Sequence, residues 1–164
     1  MTDSNKLPSD ILVERLCLVQ ADVDDETPEV IGAVLERALE EGALDAVAIA
    51  VQMKKQRPGM RVEILCRPED APRFEALLLR ETATLGVKRL EVRRTALARR
   101  EERVEVLGEA IRAKAALWEG EPIRIKPEFD DCQRIARNTG RPLREIIDRA
   151  RRAASVLLDT FRRG

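Results

Sequence analysis

Apolar positions between residues 11 and 95 follow two periods in turn, and each change of period marks a boundary between a strand and a helix. Apolar positions spaced three and four residues apart predict two helices, one after Thr27-Pro28 and one after Pro68. Alternating positions predict four strands, at 15–22, 43–53, 61–67 and 87–94. The order strand, helix, strand, strand, helix, strand predicts a ferredoxin-like βαββαβ core.

Both predicted helices of this core have recognisable ends. Thr27 suits the N-cap, Pro28 suits the first helical position, and Gly42 suits the end of the first helix. The second helix is expected to begin at Pro68 and to end at Gly86. The strand between residues 43 and 53 alternates large side chains with alanines, so we expect it to be buried on both faces. Its large residues are Val47, Ile49, Val51 and Met53.

Downstream of the core, the pattern predicts a small antiparallel hairpin element and then two helices. Gly108 suits the turn between two strands, and a third short strand is expected at 122–126. The helices are expected to begin at Pro127-Glu128 and at Pro142. The predicted fold is therefore α+β, with a ferredoxin-like core, a hairpin extension and a C-terminal helical pair. The predicted segments are a disordered lead-in at 1–10, the core at 11–95, the extension at 96–126 and the helices at 127–164.

Charge is distributed unevenly although the formal net charge is zero. Residues 1–50 carry three basic and twelve acidic side chains, whereas residues 51–100 carry thirteen basic and six acidic ones. A basic half of this kind attracts anionic ligands. Aromatic residues make up only 2% of the chain, which disfavours nucleic acid because there are few rings on which bases can stack.

The cysteines and the lengths of the apolar runs indicate the cellular compartment of the protein. The three cysteines have no CxxC spacing, which favours a reducing cytoplasm over a disulfide framework. No apolar run reaches the roughly 18–20 residues that a membrane span needs, and the first ten residues lack the apolar centre of a signal peptide. We therefore predict a cytoplasmic chain without a membrane partner.

A cluster of carboxylates follows the first predicted strand. Asp22 and Asp24 share one face of an extended chain, and Asp25 lies at the entry to the helix. The chain has no histidine, so a metal would be bound by oxygen, and carboxylates together with ligand phosphates suit Mg²⁺ or Mn²⁺. The alternative is that these acids only keep the turn soluble and complement the helix dipole.

Three cations lie on the next predicted turn. Lys54, Lys55 and Arg57 precede Pro58-Gly59, and such a turn can hold a triphosphate, with arginine making bidentate contacts and the lysines acting as point charges. The alternative is a hairpin tip that is simply solvated. An acidic and a basic cluster, both on turns, together suggest a site for a divalent cation and a phosphate group.

Further candidates have equally plain alternatives. The threonines of the segment 80–86 either donate hydroxyl groups to a ligand or cap the helix. Cys132 has the spacing of a core position, and we expect a buried, inert thiol there rather than a reactive one. Trp118 either stacks on a base or packs at the edge of the hairpin.

Five sequence blocks resemble one family. They are DVDDETPE with the following Gly-Ala-Leu-Asp, then MKKQRPG, RETATLGVK, KPEFDDC and TGRPL, in that order between residues 19 and 150. Together they are similar to the C-terminal domain of the LarC nickel insertion proteins, the pyridinium bis-thiocarboxylate mononucleotide nickel chelatases. These proteins help to mature the nickel-pincer nucleotide cofactor of lactate racemase.

The resemblance implies a ligand and a set of residues. In that family this domain binds CTP with Mn²⁺, and the whole protein couples CTP use to nickel insertion, with nickel as a substrate. Asp24 and Asp25 match the acidic pair, with Asp22 as a further expected metal ligand. The matching nucleotide-site candidates are Lys54, Lys55, Arg57, Arg80, Thr84 and Lys126. Glu128 and Cys132 fall in the same block as Lys126.

The resemblance also implies partners. Family members form symmetric oligomers, so a trimer or hexamer is expected, with sites near subunit boundaries. The N-terminal, histidine-bearing half of the family is not in this sequence, and some members encode the two halves separately. A CTP-dependent chelatase (cyclometallase) activity is therefore expected only together with that half. Gln20-Ala21-Asp22 also departs from the family's usual Glu-Thr-Asn. The alternative function is a non-catalytic oligomeric scaffold or small-molecule sensor.

Overall fold

The computed structural model describes residues 7–163, which form two compact units. The first unit is 13–94, and the second combines 7–12 with 95–163. Residues 1–6 of the predicted lead-in lie outside the described residues, whereas residues 7–10 enter a turn that the Ile11 N–H closes on the Pro8 carbonyl at 3.2 Å.

The first unit has the predicted ferredoxin-like topology. Its four strands form one antiparallel sheet in the order β2-β3-β1-β4, and two helices connect them. The elements are β1 Leu12–Val23, α1 Pro28–Glu40, β2 Asp45–Gln52, β3 Pro58–Cys66, α2 Ala71–Glu81 and β4 Lys88–Ala96.

Both helices pack on one face of this sheet. Residues of α1 and α2 share a single buried cluster with alternate residues of β1 and β3, and Phe74 of α2 is fully buried there. The cluster is aliphatic apart from Phe74 and two thiols, as expected from a chain with so few aromatic residues. The opposite face of the sheet carries the alternate, partly polar positions, among them Gln20 and Asp22.

The ends of α1 confirm the sequence signals. The Thr27 hydroxyl accepts a hydrogen bond from the Val30 N–H at 3.4 Å, and Pro28 is the first helical residue. Gly42 has φ of +95°, a conformation that glycine adopts at little cost. The second helix differs from the prediction at both ends, because Pro68–Asp70 is a 3₁₀ turn, α2 begins at Ala71, and it ends at Glu81 rather than at Gly86.

The expectation that the strand after α1 is buried on both faces is wrong. β2 lies at the edge of the sheet, with Val47 39% and Ile49 43% exposed, while Ala46 and Ala48 lie against the core. An alternation of large and small apolar residues does not reveal the position of a strand in a sheet, because strand order depends on contacts that are distant in sequence.

The second unit packs two helices on a three-stranded antiparallel sheet. The strands β5 Arg99–Val106, β6 Glu109–Trp118 and β7 Glu121–Pro127 pair in chain order, as the sequence predicts. The predicted turn is present, with positive φ at Leu107 and Gly108. The helices α3 Phe129–Thr139 and α4 Leu143–Arg163 share a buried cluster with β5 and β6. The hairpin extension and the C-terminal helices thus form one compact unit.

The ion pair between Asp131 and Arg112 connects α3 to β6 inside the second unit. The Asp131 carboxylate accepts hydrogen bonds from the Arg112 backbone N–H at 2.9 Å, from Nε at 2.9 Å and from Nη2 at 3.0 Å. Asp131 is only 8% exposed, and the side-chain bonds from Arg112 lower its pKa from 3.8 to about 2. This carboxylate therefore serves the fold of the second unit.

Gly59 fills a position where β3 passes close to its neighbours. A Cβ there would lie 2.6 Å from the Met53 sulfur and 2.7 Å from the Val23 carbonyl oxygen, and the second of these atoms is backbone. We expect Gly59→Ala to destabilise the first unit by about 1–3 kcal/mol through overpacking. Urea denaturation should give this loss, and Gly32→Ala, where a Cβ meets nothing within 4 Å, is the control. Equal stability of the two variants would contradict the prediction.

Candidate functional site

Three connecting segments meet at one end of the four-stranded sheet. Val23 at the end of β1 pairs with Met60, so the residues after β1 lie beside the residues that precede β3. Lys88 at the start of β4 contacts Asp22, with its Nζ 2.7 Å from a carboxylate oxygen. The segments 24–27, 53–57 and 82–87 therefore share this end of the sheet, although they are far apart in sequence.

The predicted basic turn spans residues 53–57 in the structure. The Met53 N–H donates to the Arg57 carbonyl at 2.8 Å, which closes the turn. Lys55 and Gln56 both have positive φ, of 59° and 61°, and all three cations are exposed. Consecutive left-handed residues without glycine cost about 1 kcal/mol or more each, and such strain is often found where ligands bind. This segment is called the basic turn below.

The acidic and basic clusters meet in space. Arg57 Nη1 lies 3.1 Å from a carboxylate oxygen of Asp24, and these residues are 33 positions apart. Asp25 is exposed at the entry to α1, and it makes no hydrogen bond or ion pair among the residues that the structure describes. Lys54 and Lys55 likewise have no ion-pair partner within the described range 7–163. Two lysines and one carboxylate are therefore available to a ligand beside an existing Asp–Arg contact.

Asp22 already has two cationic partners. Its carboxylate oxygens accept from Arg61 Nε at 2.7 Å, from Arg61 Nη2 at 3.2 Å and from Lys88 Nζ at 2.7 Å. The hydrogen bonds from Arg61 and then Lys88 lower the Asp22 pKa from 3.8 to about 2. Asp22 therefore lies in a network that crosses β3, β1 and β4, and binding a metal would require it to give up these bonds.

The carboxylates at this site can hold a metal ion only if a bound phosphate ligand supplies further oxygen atoms. Among the described residues, no three Asp, Glu or Cys side chains are close enough to form a metal site by themselves. Mg²⁺ and ions like it are often bound by one or two carboxylates, with phosphate oxygens and water completing the shell. Asp24 and Asp25 satisfy that requirement, whereas Asp22 as a metal ligand stays a prediction.

Of two other predicted residues of the first unit, Arg80 lies away from Asp24, and Thr84 makes a hydrogen bond to the backbone. Arg80 lines a shallow depression with Arg37 and Glu41, at the last turn of α1, whereas Asp24 precedes its first turn. Thr84 lies in the segment 82–87, but its hydroxyl donates to the Gly86 carbonyl at 3.0 Å. The ligand roles of Arg80 and Thr84 stay predictions.

The remaining predicted residues belong to the second unit. Lys126 is exposed on β7. Glu128 occupies the N-cap position of α3 without a capping bond from its side chain, which instead pairs with Lys114 at 2.8 Å. Cys132 is 2% exposed, and burial raises its thiol pKa, so it has the environment of an inert core thiol. Sequence reasoning therefore combined residues of two structural units in one nucleotide site.

Sequence reasoning missed the cations that hold Asp22. Arg61 lies directly opposite Asp22 in the β1–β3 register, and Lys88 begins β4. The signal was present in part, because Lys88 ends the RETATLGVK block. The register between β1 and β3, which brings Arg61 to Asp22, could not be read from local pattern alone.

The fold and the site define a class, a ferredoxin-like α+β protein with a charged site at one end of its sheet. A family model described as nickel insertion protein matches residues 6–147. The chain therefore belongs to the nickel insertion protein family.

Two curated relatives support this membership. The pyridinium-3,5-bisthiocarboxylic acid mononucleotide nickel insertion protein of Staphylococcus epidermidis is 36% identical over 79% of this chain and 33% of its own length. A relative from Geobacter sulfurreducens is 42% identical over 81% of this chain and 34% of its own length. The chain thus spans about a third of the length of the curated relatives it matches.

Solved structures agree with the fold. LarC2, the C-terminal domain of a cyclometallase involved in the synthesis of the NPN cofactor of lactate racemase, has a TM-score of 0.80 in its apo form. It is 28% identical, and the match covers 88% of this chain and 99% of that domain. A Methanopyrus kandleri protein has a TM-score of 0.61 at 29% identity, over 89% of this chain and 90% of its own.

No helix of the described residues is both long and apolar enough to cross a membrane.

Proposed function

We propose that the first unit binds CTP with Mn²⁺ or Mg²⁺ between the basic turn and Asp24-Asp25, and that this binding serves nickel insertion into a pincer-type cofactor. The observation that carries the proposal is the contact of 3.1 Å between Arg57 and Asp24, which joins the two clusters. The strained conformation of Lys55 and Gln56 supports it, as does family membership. The choice of CTP rests on the resemblance described above.

The chain's own residues suggest how the ligand is received. Lys54 and Lys55 supply two positive charges for the phosphates, and Arg57 can exchange the Asp24 carboxylate for a phosphate oxygen. That exchange frees an oxygen of Asp24 for the metal, so no charge at the site is left without a partner. When bound, the metal offsets phosphate charge and polarises the phosphoryl oxygens. Arg61 and Lys88 position Asp22 beside the site.

The wider function requires a partner. This chain matches only about a third of its relatives' length, so we propose that the remaining, N-terminal part of the family's sequence acts together with it, and that the pyridinium bis-thiocarboxylate mononucleotide and nickel are the substrates. The chelatase activity would belong to the pair. We also propose a cytoplasmic setting, in keeping with the three free, buried cysteines.

The test is a calorimetric titration of CTP, with and without Mn²⁺, and with ATP as the comparison nucleotide. We expect metal-dependent binding that prefers CTP. Lys54→Ala with Arg57→Ala should weaken this binding by about tenfold or more, because two phosphate contacts are lost.

A matched variant separates local from general charge effects. Arg67→Ala with Arg93→Ala also removes two exposed cations from the first unit, and it should leave CTP affinity unchanged. Unchanged CTP affinity in a folded Lys54/Arg57 double variant would refute the site. Binding that is independent of metal would refute the role of Asp24 and Asp25.

A second candidate function is an assembly module, because the sheet exposes apolar residues on the face away from its helices. Val47 and Ile49 of β2 lie there, together with Leu90 of β4. A second copy of the chain would cover such a face in a homo-oligomer. Light scattering of wild type and Ile49→Lys distinguishes the two functions: loss of the oligomer with CTP binding retained would assign this face to assembly, and the basic turn to the nucleotide.

A further inference from the structure

A cleft of about 310 Å³ opens in the second unit between β7, α3 and α4. The sites of small molecules are often about 300–1,000 Å³ in volume, so the cleft has room for a ligand of mononucleotide size. All of its lining residues belong to the second unit, and the basic turn contributes none.

All charged side chains that line the cleft are positive. Arg124, Lys126 and Arg151 line it, and no carboxylate side chain does. The structure pairs none of these three cations with an acid among residues 7–163. Three cations without acidic partners at one opening favour a ligand with more than one negative charge.

The walls of the cleft are apolar, and one of them is aromatic. Ile125 and Ile147 line it together with Phe129, which is 54% exposed. Phe129 is one of only three phenylalanines in the chain, and Phe74 by contrast is completely buried. A half-exposed ring beside arginines is a surface on which a planar, electron-poor ring can stack.

Cys132 lines the inner part of the cleft but does not supply reactivity. It is 2% exposed, and burial raises the pKa of its thiol, which leaves the group neutral at physiological pH. The cleft therefore has the features of a binding site: charge at the rim, an aromatic wall and an inert interior.

We propose that this cleft binds a pyridinium mononucleotide that carries carboxylate-type substituents on its ring. The ring would stack on Phe129, and the phosphate and ring substituents would contact Arg124, Lys126 and Arg151. This inference rests on the proposed function, because a relative is named for a substrate of this class. It assigns Lys126 to a ligand other than CTP, and it gives the two units different ligands.

The test uses nicotinic acid mononucleotide, a pyridinium mononucleotide with one ring carboxylate, followed by calorimetry and by amide chemical shifts in solution. We expect saturable binding with shifts at β7 and at the start of α3. Arg124→Ala with Arg151→Ala should weaken binding by about tenfold or more, and so should Phe129→Ala. Nicotinamide riboside, which lacks both the phosphate and the carboxylate, should not bind.

Matched variants keep this test separate from the CTP test. Arg137→Ala with Arg162→Ala removes two exposed cations of the same unit outside the cleft. Lys54→Ala with Arg57→Ala removes two of the three cations of the basic turn. Neither should change the affinity for nicotinic acid mononucleotide. Failure to bind it, or binding that the cleft variants leave intact, would overturn this inference while leaving CTP binding unaffected. Loss of CTP affinity in the cleft variants would also overturn it, because the cleft would then belong to the nucleotide site.

Discussion

Replacing Phe74 by alanine is expected to reduce the free energy of unfolding of the first unit by about 3–5 kcal/mol. The side chain is fully buried in the cluster between the two helices and the sheet, and it is the largest of the completely buried side chains. Because the free energy of unfolding of a protein is only about 5–15 kcal/mol, this loss is a large fraction of the total stability.

Phe129→Ala is the matched control for this prediction. It makes the same chemical change at a side chain that is 54% exposed, and it should cost about 1 kcal/mol or less. Urea denaturation followed by circular dichroism measures both variants. Trp118 is the only tryptophan and lies in the second unit, so its fluorescence reports that unit separately. Similar losses for the two phenylalanines would contradict the assignment of Phe74 to the core.

The consequence for binding is specific. The basic turn and Asp24 are placed by strands that pack on Phe74, so CTP affinity should fall in Phe74→Ala at temperatures where the first unit is partly unfolded. Saturating CTP with Mn²⁺ should in turn raise the melting temperature of that variant, because a ligand that binds only the folded state stabilises it.

Local signals explain why the order of elements could be predicted. Thr27-Pro28, Gly42 and Gly108 mark helix ends and turns through their own backbone preferences, and the structure uses each of them in that way. The ferredoxin-like topology then follows from the order of the elements and the usual rules of strand connection.

Contacts between distant residues explain what could not be predicted. The alternating pattern of β2 is by itself compatible with either a central or an edge strand, and only the ferredoxin-like strand order places β2 at the edge. The sequence suggested one site for the acidic and the basic cluster, but the particular contact of Arg57 with Asp24 was not predicted. The two cations on Asp22 depend on the register between β1 and β3 and on the side-chain reach of Lys88.

The role of Asp131 shows the same limit. Its position in the first turn of α3 would be explained by the helix dipole alone. In the structure it makes three hydrogen bonds with Arg112 of β6, a residue 19 positions earlier. Asp130, its neighbour, is exposed and has only the dipole to complement.

Asp131→Asn is expected to cost the second unit about 2 kcal/mol at neutral pH. The amide places an NH₂ group where one carboxylate oxygen now accepts a hydrogen bond, and it leaves the Arg112 guanidinium without its anion. Asp130→Asn makes the same change one residue earlier, and it should cost only about 0.3–1 kcal/mol, the value of a charge near a helix N-terminus. Thermal or urea denaturation of both variants, followed by Trp118 fluorescence, measures the difference within the second unit.

The cost of Asp131→Asn should also depend on pH. The pKa of Asp131 is about 2 in the folded protein and near 3.8 in the unfolded chain, so the unfolded state takes up its proton first as the pH falls. The stability that Asp131 contributes is therefore fully present above about pH 4, and it is lost as the pH falls from about 4 towards 2. Asp22 also has a pKa near 2, but it is present in both wild type and Asp131→Asn. The difference in the free energy of unfolding between these two proteins therefore reports Asp131 alone. A difference that stays constant from pH 7 to pH 2.5 would mean that the Asp131–Arg112 pair contributes through its shape rather than its charge.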